Sequence, residues 1–180
     1  ILVLSGLKPA TDLLLFKNPG GGLDLFSPLW AQSNRGRVVG GVSQITVMPG
    51  RVERIDEGQP FTVLVDYAPE PASLGKLYEL IAFLPHKRLI HVLGSAGGGR
   101  YAARRPILGW MAAEHADVVI VTDEDPYDED PNAIVDEIAT GITDKSKLEI
   151  ELDRRKAIAQ ALRLALPLAQ GTDKPVVLIS

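Results

Sequence analysis

Short apolar runs alternate with longer amphipathic segments through most of the chain. The apolar runs predict β-strands, because strands inside a covered sheet bury both of their faces. In the longer segments, apolar residues recur at intervals of three and four, which is the spacing of one helix face. The pattern predicts strands over residues 61–65, 88–94, 117–122, 147–152 and 175–179, and helices over 72–84, 106–115, 130–140 and 154–166.

The order of these elements indicates the fold class. Strand and helix alternate from about residue 57 to the end of the chain, and no hairpin signal joins two successive strands. Such alternation is typical of a Rossmann-like α/β domain, in which a mostly parallel sheet carries helices on both faces. Residues 1–50 have no sustained period of either kind. We therefore predict two regions, a loop-rich or poorly ordered segment over 1–50 and an α/β domain over 51–180.

Composition supports a folded domain and excludes several partners. The 180 residues are 46% hydrophobic, with a mean hydropathy of +0.09, which is enough to bury a core. The net charge of −4 provides no basic field for nucleic acid, and the lack of cysteine excludes disulfides and thiolate chemistry. No apolar run reaches the roughly 20 residues of a membrane helix, so we expect no membrane association. The chain begins with Ile1 and stops within a predicted strand, so we expect it to be part of a longer protein.

Three polar segments follow directly after predicted strands. They cover residues 66–68, 94–100 and 122–128. The carboxyl ends of parallel strands meet at one edge of a sheet, and α/β proteins bind their ligands there. We therefore expect an acid, a loop of glycines and arginines, and an acidic turn to form a single site at this edge.

The loop over residues 94–100 has the composition of an anion-binding site. Its glycines let the backbone adopt dihedral angles closed to other residues and approach a ligand closely. Arg100, Arg104 and Arg105 then crowd the start of a helix that we expect near Pro106. Cations at the positive end of a helix dipole are unfavourable unless an anion binds there. The alternative is that the three arginines are solvated charges on a surface loop.

Several known site patterns do not fit this loop. No Gly-Lys-Ser or Gly-Lys-Thr follows it, so it is not a phosphate-binding P-loop. Asp123 stands 24 residues beyond Gly99, as in dinucleotide-binding domains, but the glycine spacing differs from G-x-G-x-x-G. Ser95 lacks the glycine two positions before it that the nucleophile elbow of a serine hydrolase requires.

The acidic turn over residues 123–130 contains six carboxylates in eight residues. Acids before a helix complement its dipole, so a purely structural role is one interpretation. The turn lacks the central glycine and the ligand spacing of a calcium-binding EF-hand, and we assign no metal ligand. His86, His91 and His115 are scattered along the chain, and we expect structural roles for them.

Four short segments, in this order and spacing, resemble the motifs of one enzyme family. Residues 48–54, Met-Pro-Gly-Arg-Val-Glu-Arg, resemble its PGRxE junction, and residues 66–71 resemble DYAHTP. Residues 94–106 resemble the loop GCGGDRDxxKRP, and residues 124–131 resemble DNPRxEDP. On these motifs, residues 48–180 resemble the C-terminal domain of Mur ligases, specifically of UDP-N-acetylmuramoyl-tripeptide synthetases (MurE-type).

The resemblance implies a cytoplasmic, ATP-dependent amide ligase of peptidoglycan precursor synthesis. Such an enzyme activates the carboxylate of a UDP-MurNAc-dipeptide as an acyl phosphate and joins an amino acid to it. In this family the C-terminal domain closes over ATP, which with Mg²⁺ is held mainly by a central domain that carries the P-loop. Residues 1–50 would then be a remnant of that central domain.

The same resemblance implies roles for individual residues but no catalytic residue in this chain. Arg51 and Asp66 would contact the ATP ribose. Arg100 and Arg105 would meet a carboxylate or phosphate, and Asp125 would face the incoming amino acid. The full set of predicted substrate- or anion-binding residues is Gly97, Gly98, Gly99, Arg100, Arg105, Asp125 and Tyr127.

The chain also departs from the family pattern. It contains no P-loop, so we expect it to be inactive alone. Pro69 and Tyr101 replace a histidine and an aspartate of the motifs, and Tyr127 replaces the arginine that binds the distal carboxylate of diaminopimelate. We therefore expect lysine or another amino acid without a distal acid as substrate.

The alternative function is a non-catalytic Rossmann-like module that binds a nucleotide or another anion.

Overall fold

The computed structural model describes residues 49–99 and 101–180. All described residues belong to one compact unit, Met48–Ser180. The segment predicted over residues 1–50 therefore lies outside the described residues, apart from its last two positions. In the described part of the chain, no helix is long and apolar enough to span a membrane.

Six strands and four helices make up the described unit, with short 3₁₀ turns at Lys145–Lys147 and Leu166–Leu168. The strands are β1 Glu53–Ile55, β2 Thr62–Val65, β3 Leu89–Leu93, β4 Val118–Val121, β5 Leu148–Ile150 and β6 Val176–Ile179. The helices are α1 Pro71–Ala82, α2 Arg104–His115, α3 Pro131–Thr140 and α4 Arg154–Ala165.

The strands form one mixed sheet in the order β1-β2-β6-β3-β4-β5. Every neighbouring pair is parallel except β1 and β2. β6 lies in the centre, between β2 and β3, and its Leu178 is level with Leu64 on one side and His91 on the other. The α/β fold class predicted from the sequence is confirmed.

The antiparallel edge strand β1 was not predicted. It has only three residues, and Glu53 and Arg54 give it no apolar run that a sequence pattern could detect. It pairs with β2 after a loop over residues 56–61, in which Gly58 has a φ of 83° that glycine adopts without strain. The sheet is therefore parallel in its core and antiparallel at one edge.

Helices cover both faces of the sheet, as predicted. α1, α2 and α3 pack on one face, where they contact strand residues such as Leu89 and Val119. α4 packs on the opposite face through Ala157, Ala161 and Ala165, which are fully buried. Alternate residues of each strand therefore enter different cores, as the pleat of a strand requires.

Helix α2 starts two residues earlier than the sequence predicted. It begins at Arg104 instead of Pro106, and the N–H groups of Arg104 and Arg105 donate to the carbonyls of Tyr101 and Ala102 at 2.9 Å. Both arginines therefore belong to the first turn of the helix. Their backbones are held by that turn and are not part of a loop.

Candidate functional site

The carboxyl edge of the sheet brings together the segments that the sequence singled out. Asp66 follows β2, Gly94 follows β3, and Ser180 follows β6, which lies between them. Thr122 follows β4, and its N–H donates to the carbonyl of Leu93 at 3.0 Å. Hydrogen bonds between neighbouring strands thus continue up to the residues where the loops begin. The ends of the strands therefore determine the starting position of each loop.

A cleft of about 430 Å³ opens between these loops. The segment after β2, the glycine loop, the start of α2 and the acidic turn all contribute to it. Its lining residues are Tyr67, Pro69, Glu70, Ala96, Gly97, Gly98, Tyr101, Arg104, Tyr127 and Asp128. The volume lies within the range of small-molecule sites.

The glycine loop fits against the acidic turn because Gly97 has no side chain. Its N–H donates to the carbonyl of Asp125 at 2.8 Å, and a Cβ atom at Gly97 would lie 2.1 Å from the carbonyl oxygen of Pro126. Gly98 and Gly99 have φ angles of 80° and 67°, in the left-handed region that favours glycine. The glycines therefore serve close backbone packing as well as the shape of the cleft.

Arg105 is buried, and its charge is matched within the protein. Its side chain is 1% exposed, and Nη1 donates to Glu129 and Glu137, each at 2.8 Å. Nη2 donates to the carbonyl of Ala96 at 3.3 Å. The bond to Glu129 raises the pKa of the Arg105 guanidinium, and the same bond lowers the pKa of Glu129. The assignment of Arg105 to an external anion stays a prediction, and two protein carboxylates already occupy its guanidinium.

Arg104 lines the cleft and is the residue of the loop that our site assignment missed. Its side chain is 12% exposed, and Nη1 forms an ion pair with Oε1 of Glu70. Its Nε is buried and has no hydrogen-bond partner among the described residues. The sequence placed both residues near the same sheet edge but contained no signal that they pair.

Arg51 and Asp66, predicted to contact ATP, flank the start of β1 and the end of β2. Arg51 Nη1 donates to the carbonyl of Tyr67, and the guanidinium lies 5.4 Å from the centre of the Tyr67 ring, within cation–π range. Asp66 Oδ2 accepts a bond of 2.7 Å from the N–H of Val52. The structure brings the two predicted residues together, and their nucleotide role stays a prediction.

Of the remaining predicted residues, Tyr127 lines the cleft and Asp125 lies beside its lining. Tyr127 and Tyr101 line the cleft, are 71% and 73% exposed, and have φ angles of 52° and 56°. Left-handed dihedrals are costly for bulky residues, and such strain is concentrated at functional loops. Asp125 is exposed next to them, while its carbonyl holds the loop at Gly97. Arg100 lies outside the described residues, so its role stays a prediction.

Two opposite charges lie close to Gly94. A Cβ atom at Gly94 would lie 2.8 Å from Cβ of Glu124 and 2.9 Å from Nη1 of Arg154. Arg154 also donates to the carbonyl of Ser180 at 3.1 Å. Burial raises the pKa of Glu124, and the positive charge of Arg154 acts in the opposite direction. Gly94 therefore makes room for Glu124 of the acidic turn and for Arg154, which the sequence analysis did not single out.

His91 is fully buried on β3 and uses both ring nitrogens. Nδ1 lies 2.7 Å from the hydroxyl of Tyr78, and Nε2 lies 2.8 Å from the hydroxyl of Ser180. Burial, together with the charge of Arg154, lowers the pKa of His91 to about 3. The ring is therefore neutral at pH 7, with one nitrogen donating and the other accepting. These contacts lie inside the core, which fits a structural role.

The cleft offers groups that suit a small charged molecule. It presents one guanidinium, two carboxylates and three phenol rings, from Arg104, Glu70, Asp128, Tyr67, Tyr101 and Tyr127. Within residues 49–99 and 101–180, no group of three or more His, Asp or Glu side chains is placed to hold a metal ion.

The fold and this edge define an α/β domain with a small-molecule cleft at the carboxyl ends of its strands. The family model "Mur ligase, glutamate ligase domain" matches residues 50–179, and the chain belongs to this family. The four motif segments all lie within or next to the matched region.

Two curated relatives and one solved structure illustrate the similarity. UDP-N-acetylmuramoyl-L-alanyl-D-glutamate–2,6-diaminopimelate ligase of Syntrophomonas wolfei is 41% identical over 72% of this chain and 27% of its own length. UDP-N-acetylmuramyl-tripeptide synthetase of a Roseiflexus species is 43% identical over 73% of this chain and 26% of its own length. A solved diaminopimelate ligase of the first type superposes with a TM-score of 0.60 and 28% identity, over 84% of this chain and 30% of that one. The chain thus spans about a quarter of the length of these curated relatives.

Proposed function

We propose that the full-length protein is an ATP-dependent ligase that joins an amino acid to UDP-MurNAc-dipeptide in the cytoplasm. The observation that carries this proposal is that three of the four motif segments line one cleft at the edge of one sheet, and the fourth contacts a lining residue through Arg51 and Tyr67. The relatives that are about 40% identical over this region carry the names of such ligases. In the proposed reaction, a dipeptide carboxylate oxygen takes the terminal phosphoryl group of ATP, which leaves ADP and an acyl phosphate. The amine nitrogen of the amino acid then attacks the carbonyl carbon, releases phosphate and loses a proton.

This chain would contribute the wall of the site that faces the nucleotide and the incoming amino acid. Asp66 uses Oδ2 to hold the backbone at Val52, and Oδ1 makes no hydrogen bond with any described residue. A carboxylate oxygen with free lone pairs can accept from a ribose hydroxyl. Arg51 lies beside it, with Nη1 on the carbonyl of Tyr67, and would contact the same ribose. Mg²⁺ would neutralise charge on the transferred phosphoryl group.

The cleft favours an amino acid without a distal carboxylate. Tyr127 stands where the motif has arginine, and its hydroxyl can give one neutral hydrogen bond, worth about 0.5–1.5 kcal/mol. An unpaired carboxylate in a partly dry cleft costs several kcal/mol. Glu70 and Asp128 add negative charge to the lining. Those carboxylates would repel a distal acid and attract an ammonium group, so lysine fits better than diaminopimelate.

The chain alone is proposed to be inactive. Phosphoryl transfer depends on positioned backbone donors, a lysine and metal ions, and no P-loop occurs in these 180 residues. The test compares the chain with the full-length protein in the presence of ATP, UDP-MurNAc-dipeptide and single amino acids, with phosphate release and tripeptide formation as readouts. We expect the full-length protein to form product and the 180-residue chain to form none. Turnover by the isolated chain, or no product from the full-length protein with any amino acid, would contradict the proposal.

A non-catalytic binding module is the second candidate. The observation that favours it is that Pro69, Tyr101 and Tyr127 all depart from the motifs at the cleft itself. Such a protein would bind a nucleotide or another anion without turnover. The same assay separates the two functions, because a binding module retains ligand affinity but forms no tripeptide.

A further inference from the structure

The two arginines at the start of α2 differ in how completely their donors are used. Arg105 is engaged by Glu129, Glu137 and the carbonyl of Ala96. Arg104 lines the cleft, and its one partner among the described residues is Glu70. The buried Nε atoms of Arg104 and Arg105 both lack a partner in that part of the chain, so the difference lies in the terminal nitrogens. A guanidinium carries five donors in a planar fork that matches a carboxylate. Arg104 is therefore the arginine of the described cleft that can accept a ligand.

Glu70 is well placed to leave Arg104 without losing its stabilisation. Its side chain is half exposed, and the residue occupies the N-cap position of α1. The N–H of Glu70 donates to the Ser73 hydroxyl at 3.3 Å, and that hydroxyl donates to the carbonyl of Glu70 at 2.8 Å. These contacts belong to a capping box between Glu70 and Ser73, which fixes the N-cap residue at the start of α1. The positive end of a helix dipole stabilises a carboxylate at this position, so Glu70 has a favourable environment both on Arg104 and away from it.

The charges of the cleft select the kind of anion that Arg104 can hold. The described lining contains one cation, Arg104, and two carboxylates, Glu70 and Asp128. This balance is unfavourable for a doubly charged phosphate. It suits a single carboxylate that arrives with an ammonium group, because the ammonium can approach Asp128 and the face of Tyr127. The chemistry is that of a zwitterionic amino acid.

We propose that Arg104 is the carboxylate anchor of the cleft and that Glu70 occupies this anchor until the carboxylate of an amino acid replaces it. The identity of the ligand as an amino acid rests on the proposed function. The exchange itself concerns only these two residues and a carboxylate. Glu70 then acts as an internal competitor, which lowers the affinity for any carboxylate and favours ligands whose ammonium group offers the cleft a compensating contact.

The experiment measures binding to the 180-residue chain by NMR titration. The probes are L-lysine, 1,5-diaminopentane, which is lysine without its carboxylate, and inorganic phosphate. We expect Glu70→Gln to tighten lysine binding about threefold to tenfold, because the competitor is removed. We expect Arg104→Gln to weaken lysine binding at least tenfold, since a charge-assisted bond is lost. Glu70→Gln should not tighten binding of 1,5-diaminopentane and Arg104→Gln should not weaken it, because the diamine has no carboxylate that could bind Arg104.

Matched variants keep the result interpretable. Glu79→Gln removes a glutamate of the same helix that is paired with Lys76, and Arg163→Gln removes an exposed arginine of α4. Neither should change lysine binding. If Arg104→Gln does not give a folded spectrum, Arg104→Lys keeps the charge but not the fork, and we expect a smaller loss of lysine affinity from it.

Four results would overturn the exchange. Glu70→Gln could leave lysine binding unchanged or weaken it, which would make Glu70 an ammonium ligand or a bystander. Arg104→Gln and Arg104→Lys could leave lysine binding unchanged. Phosphate could bind more tightly than lysine. The fourth result would be that lysine causes no saturable chemical-shift changes in either the wild type or Glu70→Gln. The titration measures binding and not ligation, so the two proposals can fail separately. If the full-length protein had no ligase activity, the exchange between Glu70 and a carboxylate could still be observed. If the exchange were not observed, the ligase assay would still test the proposed function.

Discussion

Arg105 and Glu129 connect the start of α2 to the acidic turn through an Nη1–Oε2 distance of 2.8 Å. The other oxygen of Glu129 accepts from the N–H of Gly99, so one carboxylate holds both the helix and the glycine loop. Arg105 reaches α3 as well, through Glu137. The position of the loop over the cleft therefore depends on a buried guanidinium that does not itself line the cleft.

This connection predicts a specific acid dependence. The hydrogen bond from Arg105, followed by the N–H of Gly99, lowers the pKa of Glu129 below its ordinary value of 4.5. A carboxylate whose folded pKa is depressed stabilises the fold above its unfolded pKa, and this contribution is lost as the pH falls through the folded pKa. Glu129→Gln should therefore be less stable than wild type at pH 7. The difference should shrink below about pH 4.5.

The measurement is the urea midpoint of both proteins from pH 7 to pH 3. Arg105→Gln provides the control, because Glu129 loses its partner in that variant. Adding Glu129→Gln to Arg105→Gln should produce a much smaller change than in wild type. Parallel curves for wild type and Glu129→Gln over the whole range would show that the carboxylate charge does not support the fold.

Two glycines within helices should respond in opposite ways to the same substitution. A Cβ at Gly75 in α1 would lie 3.4 Å from the terminal methyl of Met111, a flexible group that can move. Gly75→Ala should therefore raise the free energy of unfolding by about 0.5–1 kcal/mol, through helix propensity. A Cβ at Gly109 in α2 would lie 2.0 Å from the carbonyl oxygen of Ile138 in α3. Gly109→Ala should lower the free energy of unfolding by about 1–3 kcal/mol, because the two helices must separate.

Urea denaturation of the two variants tests this contrast. Helix propensity alone would change the free energy of unfolding of both variants in the same direction. Each variant therefore serves as the control for the other. A stabilised Gly109→Ala protein would mean that α2 and α3 do not pack as closely as the structure indicates.

His91 should remain neutral well into the acidic range. Its folded pKa of about 3 lies below the ordinary value of 6.5, so between these values the unfolded chain binds more protons than the folded one. The contribution of His91 to stability is therefore complete above pH 6.5 and is lost progressively as the pH falls towards 3. Between pH 8 and pH 5 the loss should reach about 2 kcal/mol.

NMR provides the direct measurement for His91. We expect its ring signals to keep their positions from pH 8 to pH 5 while the fold persists. We also expect His91→Gln to reduce the fall in stability over that range. A titration midpoint of His91 near 6.5 would contradict the buried contacts with Tyr78 and Ser180.

Much of the fold could be predicted because its strands and helices carry strong local patterns. The runs that became β2, β3, β4 and β6 are apolar on both faces, which is the pattern of a covered parallel strand. The edge strand β1 escaped detection because three residues with alternating exposure have no measurable period. Helix α2 begins two residues before the predicted start at Pro106. Arg104 and Arg105 are good helix formers, so the helix can begin before the proline.

The location of the site could be predicted, but the pairing of its charges could not. Strand ends in a parallel sheet share one edge whatever their sequences, so the convergence of the loops followed from topology. The partners of Arg105 lie 24 and 32 residues away, and Glu70 lies 34 residues from Arg104. No local pattern encodes such distances. The carboxylates of Glu70, Glu129 and Glu137 pair with Arg104 and Arg105, and an external anion near these arginines stays a prediction.

Substrate choice is the most direct test of the account, because it depends on Tyr127 and on the charge of the cleft together. The measurement is kcat/KM of the full-length protein for L-lysine and for meso-diaminopimelate, with UDP-MurNAc-dipeptide and ATP held constant. We predict a higher value for lysine in the wild type, and a shift towards diaminopimelate in Tyr127→Arg, which restores a partner for the distal carboxylate. A higher kcat/KM for diaminopimelate in the wild type, unchanged in Tyr127→Arg, would contradict the account.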